Sequence, residues 1–183
     1  MKNFLFYFAV TGWTIGLIVN LISIAEIDIT VKIHFLWIWV LTIGTFIVWL
    51  PIVFELKNNE ELKALKQSNT LIRINPFTYL KIVFKNAPTW LTIISILGFF
   101  YATSPTNLNS LKSQKGIADI IDGKYTIQSH GQIIRILTEQ EYHQLKANET
   151  RAISGAWIAF YGIAMTILFP FAKKKNTLAK NSD

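Results

Sequence analysis

The stretch Ala152–Ala172, AISGAWIAFYGIAMTILFPFA, runs 21 residues without an Asp, Glu, Lys or Arg. At 1.5 Å of rise per residue, about 20 mostly apolar residues cross the ~30 Å hydrocarbon core of a bilayer. This run therefore has the length and composition of a transmembrane helix. Three more stretches are equally free of charge: Asn3–Ala25 (23 residues), Ile33–Phe54 (22) and Asn86–Leu111 (26), the last with a shorter apolar core. Every charge lies between or beyond the four. The pattern predicts an all-α integral membrane bundle of four transmembrane helices, at about 3–25, 33–54, 88–104 and 155–172.

Composition agrees. Apolar residues make up 51% of the 183 and charged residues 16%, against about 25% charged in a soluble domain. The chain has no cysteine, which excludes disulfides and thiolate metal sites. The net charge of +7 raises nucleic acid as a partner, but the distribution of charge points to the lipid bilayer instead. The second loop (55–87) carries Lys57, Lys63, Lys66, Arg73, Lys81 and Lys85 against three Glu. The tail (173–183) adds Lys173, Lys174, Lys175 and Lys180 against Asp183. The first loop has Lys32 with Glu26 and Asp28, and the third loop nearly balances. Counting Lys2, one side holds 11 Lys/Arg and the other 7. Positive residues collect on the cytoplasmic side, so both termini are expected in the cytoplasm of a bacterial cell, with residues 105–154 outside its inner membrane. Ser23-Ile24-Ala25 also fits a signal-peptide cleavage site, but the preceding apolar run is about twice a usual 7–15-residue h-region.

Each span carries a stripe suited to close packing. Gly12 and Gly16, extended by Asn20 and Ser23, form one. Thr92, Ser95, Gly98 and Ala102 form another, and Gly155, Ala159, Gly162 and Thr166 a third. Small residues let helix backbones approach, and a buried Asn can hydrogen-bond across the contact. Two readings stay open: contacts within one chain, or a homodimer through the Gly12/Gly16 face. Trp37, Trp39, Trp49, Trp90 and Trp157 sit near expected span ends, where indole rings favour the headgroup level. Pro51 is expected to kink or end the second span, and Pro88 to suit the first turn of the third, with Asn86 nearby as a cap. In the second loop, Asn59–Gln67 reads as a charged helix. Asn75-Pro76 starts another, ending near Lys85, with lysines facing anionic headgroups.

The segment 105–154 predicts a small α+β cap. Its first dozen residues read as irregular, and Ile117–Ile121 as a short apolar piece before the Asp122-Gly123 turn. Lys124–Gln128 and Gln132–Leu137 flank Ser129-His130-Gly131 as a β-hairpin. Tyr125 and Ile127 share one strand face, met by Ile133 and Leu137 or by Ile134 and Ile136 according to register. Thr138-Glu139-Gln140-Glu141 matches a capping box, so the fourth helix should start there and project beyond the membrane, with the hairpin docked on it. A cap of about 50 residues without disulfides needs such support.

Chemical signals are sparse. The three histidines are His34, His130 and His143. No His-Glu-x-x-His pattern, nucleotide loop or nucleophile–base arrangement is evident, so no catalytic, cofactor or metal residues are assigned. Asn148-Glu149-Thr150 fits a glycosylation sequon. His130, Glu141, Tyr142 and His143 are the candidate cap surface, and Gly12, Gly16, Asn20, Ser95, Gly98, Gly155, Ala159 and Gly162 the candidate packing residues. The expected function is that of a non-enzymatic accessory or interaction subunit contacting a membrane-protein partner. A passive transporter or channel component, or a membrane-bound enzyme with an outer-surface site, are the alternatives.

Overall fold

The computed structural model describes residues 2–25, 35–68, 76–85, 87–105, 107 and 116–180. The chain is mostly helical, with a small three-stranded sheet. In order, the elements are α1 (Lys2–Ile24), α2 (Phe35–Asn58), α3 (Glu60–Ser68), α4 (Pro76–Val83), α5 (Thr89–Thr103), β1 (Ile117–Ile121), β2 (Lys124–Ser129), β3 (Gln132–Ile136) and α6 (Glu139–Lys180). Among the described residues, three helical segments are long and apolar enough to cross a membrane: Lys2–Ile24, Trp37–Asn58 and Glu139–Phe169. The chain is a membrane protein on that ground. The fourth charge-free run yields only the 15 residues of α5, about 22 Å of helix.

The helices are organised around α6. α1 lies along it most extensively, α5 next and α2 least, while α1 and α2 touch little. Most α6 positions between Ala152 and Leu168 are buried, as in Trp157, Tyr161, Ala164 and Leu168, while Ile153 and Phe160 face outward. Large apolar side chains of the other three helices point outward, among them Phe4 and Leu21 of α1, Phe46 and Leu50 of α2, and Leu97 and Phe100 of α5. A soluble monomer rarely shows so much apolar surface. In lipid such surface costs nothing, and helices associate instead through close packing and interhelical hydrogen bonds.

The connections agree with the direction of each helix. Lys2, at the start of α1, pairs with Glu55, near the end of α2, at 3.0 Å. On the same side Asn59 caps α3, its Oδ1 accepting from Leu62 N–H at 3.1 Å, and Lys85 pairs with Glu61. α2 does not end at Pro51 but continues to Asn58. Pro51 leaves the carbonyl four residues earlier without its amide partner, a local loss that the helix tolerates. Pro88 is the residue before α5 rather than in its first turn. Asn75 and Asn86, expected as caps, lie outside the described residues, as do His34, Lys32 and the 108–115 segment.

The sheet is an antiparallel meander, β1-β2-β3, so Ile117–Ile121 forms a strand and the expected hairpin gains a third member. Both turns are X-Gly pairs with positive φ at each position: Asp122 (50°) with Gly123 (73°), and His130 (51°) with Gly131 (80°). Such turns match the twist of the strands they join. The register of β2 on β3 shifts between Ile127, opposite Arg135, and Gln128, opposite Ile133. Ile134 is thus the extra residue of a β-bulge. Of the two inward sets expected from β3, neither forms as written. Leu137 packs with Ala118 and Ile127, whereas Ile133, Ile134 and Ile136 are all exposed. Tyr125, Tyr142 and Leu145 close this small core against α6.

Candidate functional site

Three features carry functional information: a polar node where α1, α5 and α6 meet, a groove between α1 and α2, and the face of the sheet.

The node centres on Asn20, 2% exposed. Its Nδ2 donates to the Arg151 carbonyl and to Ser154 Oγ, both at 3.0 Å. Its Oδ1 accepts from Tyr101 OH at 2.6 Å. Arg151 Nη2 donates to the Ser23 carbonyl at the end of α1 at 2.9 Å. One amide thus ties three helices at the sheet-side end of the bundle. Deeper in the bundle, Ser95 Oγ donates to the Gly162 carbonyl at 2.6 Å beside the Thr166 hydroxyl. On the α2 side, Tyr161 OH donates to the Leu41 carbonyl at 2.7 Å, and Trp157 Nε1 to Thr42 Oγ1 at 3.2 Å. Trp157 is therefore a buried interhelical link, not an interfacial belt residue as its position in the span implied. Its span turns that side chain toward α2, and the hydroxyl there satisfies the indole.

The small residues sit at these contacts. A Cβ on Gly12 would lie 2.6 Å from the Tyr161 ring, and one on Gly16 would lie 3.2 Å from Trp157 Cβ. On α5, Gly98 faces Ile158, and on α6 Gly155 faces Asn107 and Gly162 faces Trp13. Ala159 is buried too. The Gly12/Gly16 face is occupied by α6 of the same chain.

The groove has a volume of about 470 Å³ and is lined by Phe8, Thr11, Gly12, Ile15 and Val19 of α1, Trp37, Ile38, Val40 and Leu41 of α2, and Thr150 and Trp157 of α6. Its two hydroxyls are engaged: Thr11 Oγ1 donates to the Tyr7 carbonyl and Thr150 Oγ1 to the Lys146 carbonyl. What remains is an apolar surface.

In the cap, Glu141 accepts from Thr138 N–H at 2.8 Å while Thr138 Oγ1 accepts from Glu141 N–H at 3.2 Å, the reciprocal bonds of a capping box. Arg135 Nη2 adds a 3.0 Å bond to the same carboxylate. The Thr138 backbone and side-chain bonds, then Arg135, hold Glu141 below the ordinary carboxylate value of 4.5. His143 stands 3.8 Å from Glu139 and against the rings of Tyr125 and Tyr142. Tyr142 itself packs on Tyr125 at 4.8 Å between ring centroids. His130 occupies the left-handed turn at the β2–β3 tip. These four residues do not converge on one centre: Glu141 serves the helix start, Tyr142 the cap core and His130 the turn. No group of three or more His, Asp or Glu suited to a metal occurs among the described residues. The sequon falls inside α6, with Thr150 buried.

Sequence reasoning missed the groove, the Tyr101 and Arg151 links to α1, and the apolar outer face of the sheet. Residues 8, 11, 12, 15 and 19 do share an α1 face, but each is an ordinary apolar or small residue, and only the gap left by α2 gives that face a shape. On the sheet, Ile117, Gln128 and Ile133 stand in one row, and Asp119, Thr126 and Ile136 in the next. Gln128 Nε2 donates to Asp119 Oδ2 at 2.8 Å, and the three isoleucines around them are exposed.

These features define a small membrane protein: three membrane-length helices, a shorter apolar helix and a three-stranded sheet carried on the extended start of the last helix. Comparison with protein-family models, curated proteins and solved structures finds no match.

Proposed function

We propose that the chain is a non-enzymatic accessory subunit of the bacterial inner membrane. It crosses four times, keeps both termini in the cytoplasm, and meets a membrane-protein partner through its extracytoplasmic cap. One observation carries this reading: Ile117, Ile133 and Ile136 are 64%, 54% and 63% exposed on one face of a sheet whose other face is committed to α6. β3 is also an edge strand, and every residue in it is exposed. Exposed apolar surface beside an edge strand is the material from which protein contacts are built.

The fourth crossing is supported by the path of the chain. α4 lies near α3 through Lys85 and Glu61, while β1 packs near the start of α6. α5 joins the two and runs antiparallel to α6, with Leu91 near Thr166 and Gly98 near Ile158. A bilayer accommodates a short span by local thinning. The apolar lining of the groove favours an interaction role over a polar conduit.

A photo-crosslinking residue at position 133 or 136 should give one dominant adduct in cells. The pair Ile133→Asp with Ile136→Asp should abolish co-purification of that protein while the Tyr125–Tyr142 core stays protease-resistant. An unchanged set of co-purifying proteins would remove the cap from the function.

A further inference from the structure

We propose that α4 is a surface anchor, lying in the interface of the bilayer and holding anionic phospholipid headgroups through Lys81. Its level is set by the helix that follows it. Thr166 Oγ1 of α6 donates to the Leu91 carbonyl at 3.4 Å, so the first turn of α5 is level with Thr166. Thr166 lies about 9 Å of helix before Ala172, where the charge-free run gives way to Lys173, Lys174 and Lys175. The exposed indole of Trp90 marks the same boundary. α4 cannot move away from it. Phe84 N–H donates to the Leu80 carbonyl at 2.9 Å and Ala87 N–H to the Phe84 carbonyl at 3.0 Å. A closed turn is thus all that separates α4 from α5. At about 22 Å of helix, α5 is also ~8 Å short of the hydrocarbon core, a mismatch met by thinning the bilayer over its ends. Thinning brings the surface to α4.

The side chains of α4 suit that level. Phe77 and Leu80, on one face, are 78% and 42% exposed, whereas Tyr79, Ile82 and Val83 are half-buried. Lys81, one turn after Phe77, is exposed beside them. Lys85 pairs with Glu61 of α3, but Lys81 pairs with no carboxylate among the described residues. Apolar side chains with a lysine alongside are what an interfacial helix presents. The lysine stem runs over apolar surface while its ammonium reaches the headgroups. Charge decides the occupant: the second loop carries six Lys/Arg against three Glu, which matches an anionic bilayer surface. This inference rests on the chain being membrane-embedded, but not on the cap having a partner or on which side faces the cytoplasm.

The test uses the full-length protein, which has no native cysteine, with one nitroxide attached through Leu80→Cys, Thr78→Cys or Leu97→Cys. Each variant is reconstituted in vesicles of phosphatidylcholine, with or without phosphatidylglycerol. Electron paramagnetic resonance then reads collisions with oxygen, which enters lipid, and with a neutral, water-soluble nickel chelate. In the mixed vesicles position 80 should favour oxygen, as should position 97 on the outward face of α5, while position 78 should favour the chelate. Lys81→Gln should lower the immersed-to-free ratio at position 80 about fivefold in the mixed vesicles. In phosphatidylcholine alone that substitution should change nothing, and position 97 should be the same throughout. Equal preference at positions 78 and 80 would overturn the proposal without recourse to Lys81→Gln. So would a ratio at position 80 that ignores phosphatidylglycerol, or one that Lys81→Gln leaves unchanged in the mixed vesicles. Shielding of position 80 from both reagents would also overturn it, giving the face to a second copy of the chain. A chelate preference at position 97 would defeat the membrane reading as well.

Discussion

At the scale of single residues, the α1–α6 contact is sensitive at one glycine and tolerant at another. A Cβ at position 12 meets the Tyr161 ring at 2.6 Å, and that ring is pinned by its hydroxyl to the Leu41 carbonyl. Gly12→Ala should therefore cost about 1–3 kcal/mol through overpacking. At position 162 a Cβ meets Trp13 Cδ1 at 3.4 Å, an ordinary contact, and alanine is the better helix former by roughly 1 kcal/mol. Gly162→Ala should be neutral or stabilising. Thermal unfolding of the two variants in one detergent would compare them; equal stability would mean that α1 does not pack as described. Asn20→Leu breaks three side-chain bonds at the node. Interhelical bonds in membranes average about 0.6 kcal/mol, so the expected loss is about 2 kcal/mol, against ~0.6 for Tyr101→Phe. The Gly12, Gly16, Asn20 and Ser23 stripe was legible because small and polar residues at helical spacing have few other uses in an apolar run. Tyr101 and Arg151 were not, because nothing local marks which residue on a neighbouring helix will reach a given amide.

At the scale of elements, the start of α6 is the best-specified point in the chain. Thr138→Ala removes the cap acceptor and should cost about 1 kcal/mol of local stability. Glu141 makes that stability depend on pH. Its folded value is depressed, chiefly by the Thr138 N–H bond, so its contribution is full above the unfolded value near 4.5 and fades as pH falls through the lower folded value. Unfolding of the cap, followed by the near-ultraviolet signal of the Tyr125–Tyr142 pair, should be flat near neutrality and weaken in acid. Glu141→Gln should be weaker at neutral pH and insensitive in that acidic window. A variant that keeps the acid transition of the wild type would assign it to another carboxylate. The four-residue signature and the two X-Gly turns could be read directly, since each is a local steric or hydrogen-bonding requirement. β1 escaped notice because Ile117–Ile121 lacks clear alternation, and the outcome for β3 depended on a bulge at Ile134 that no periodicity announces.

At the scale of the whole molecule, four charge-free runs look alike in sequence but are not equivalent in the fold. α6 is the most buried helix and the one the others pack on, whereas α5 is 15 residues long and owes its position to the seam of Leu91, Ser95, Gly98 and Ala102 along α6. The sequence showed that the runs are apolar, but the order of packing around α6 is a tertiary property of matched surfaces. Whether α5 crosses decides the topology, because it alone separates the α3–α4 side from the cap. The absence of native cysteine makes this measurable with single-cysteine variants. Gln132→Cys in the cap and Lys63→Cys in α3 both replace exposed residues, so neither should disturb packing. With four crossings, a membrane-impermeant maleimide added to intact inner-membrane spheroplasts should label position 132 at once and position 63 only after permeabilisation. With α5 failing to cross, the two positions would share a side and label together. The charge asymmetry of 11 against 7 Lys/Arg further predicts which side is which: labelling of position 63 and not 132 in intact spheroplasts would reverse the orientation while preserving the four crossings.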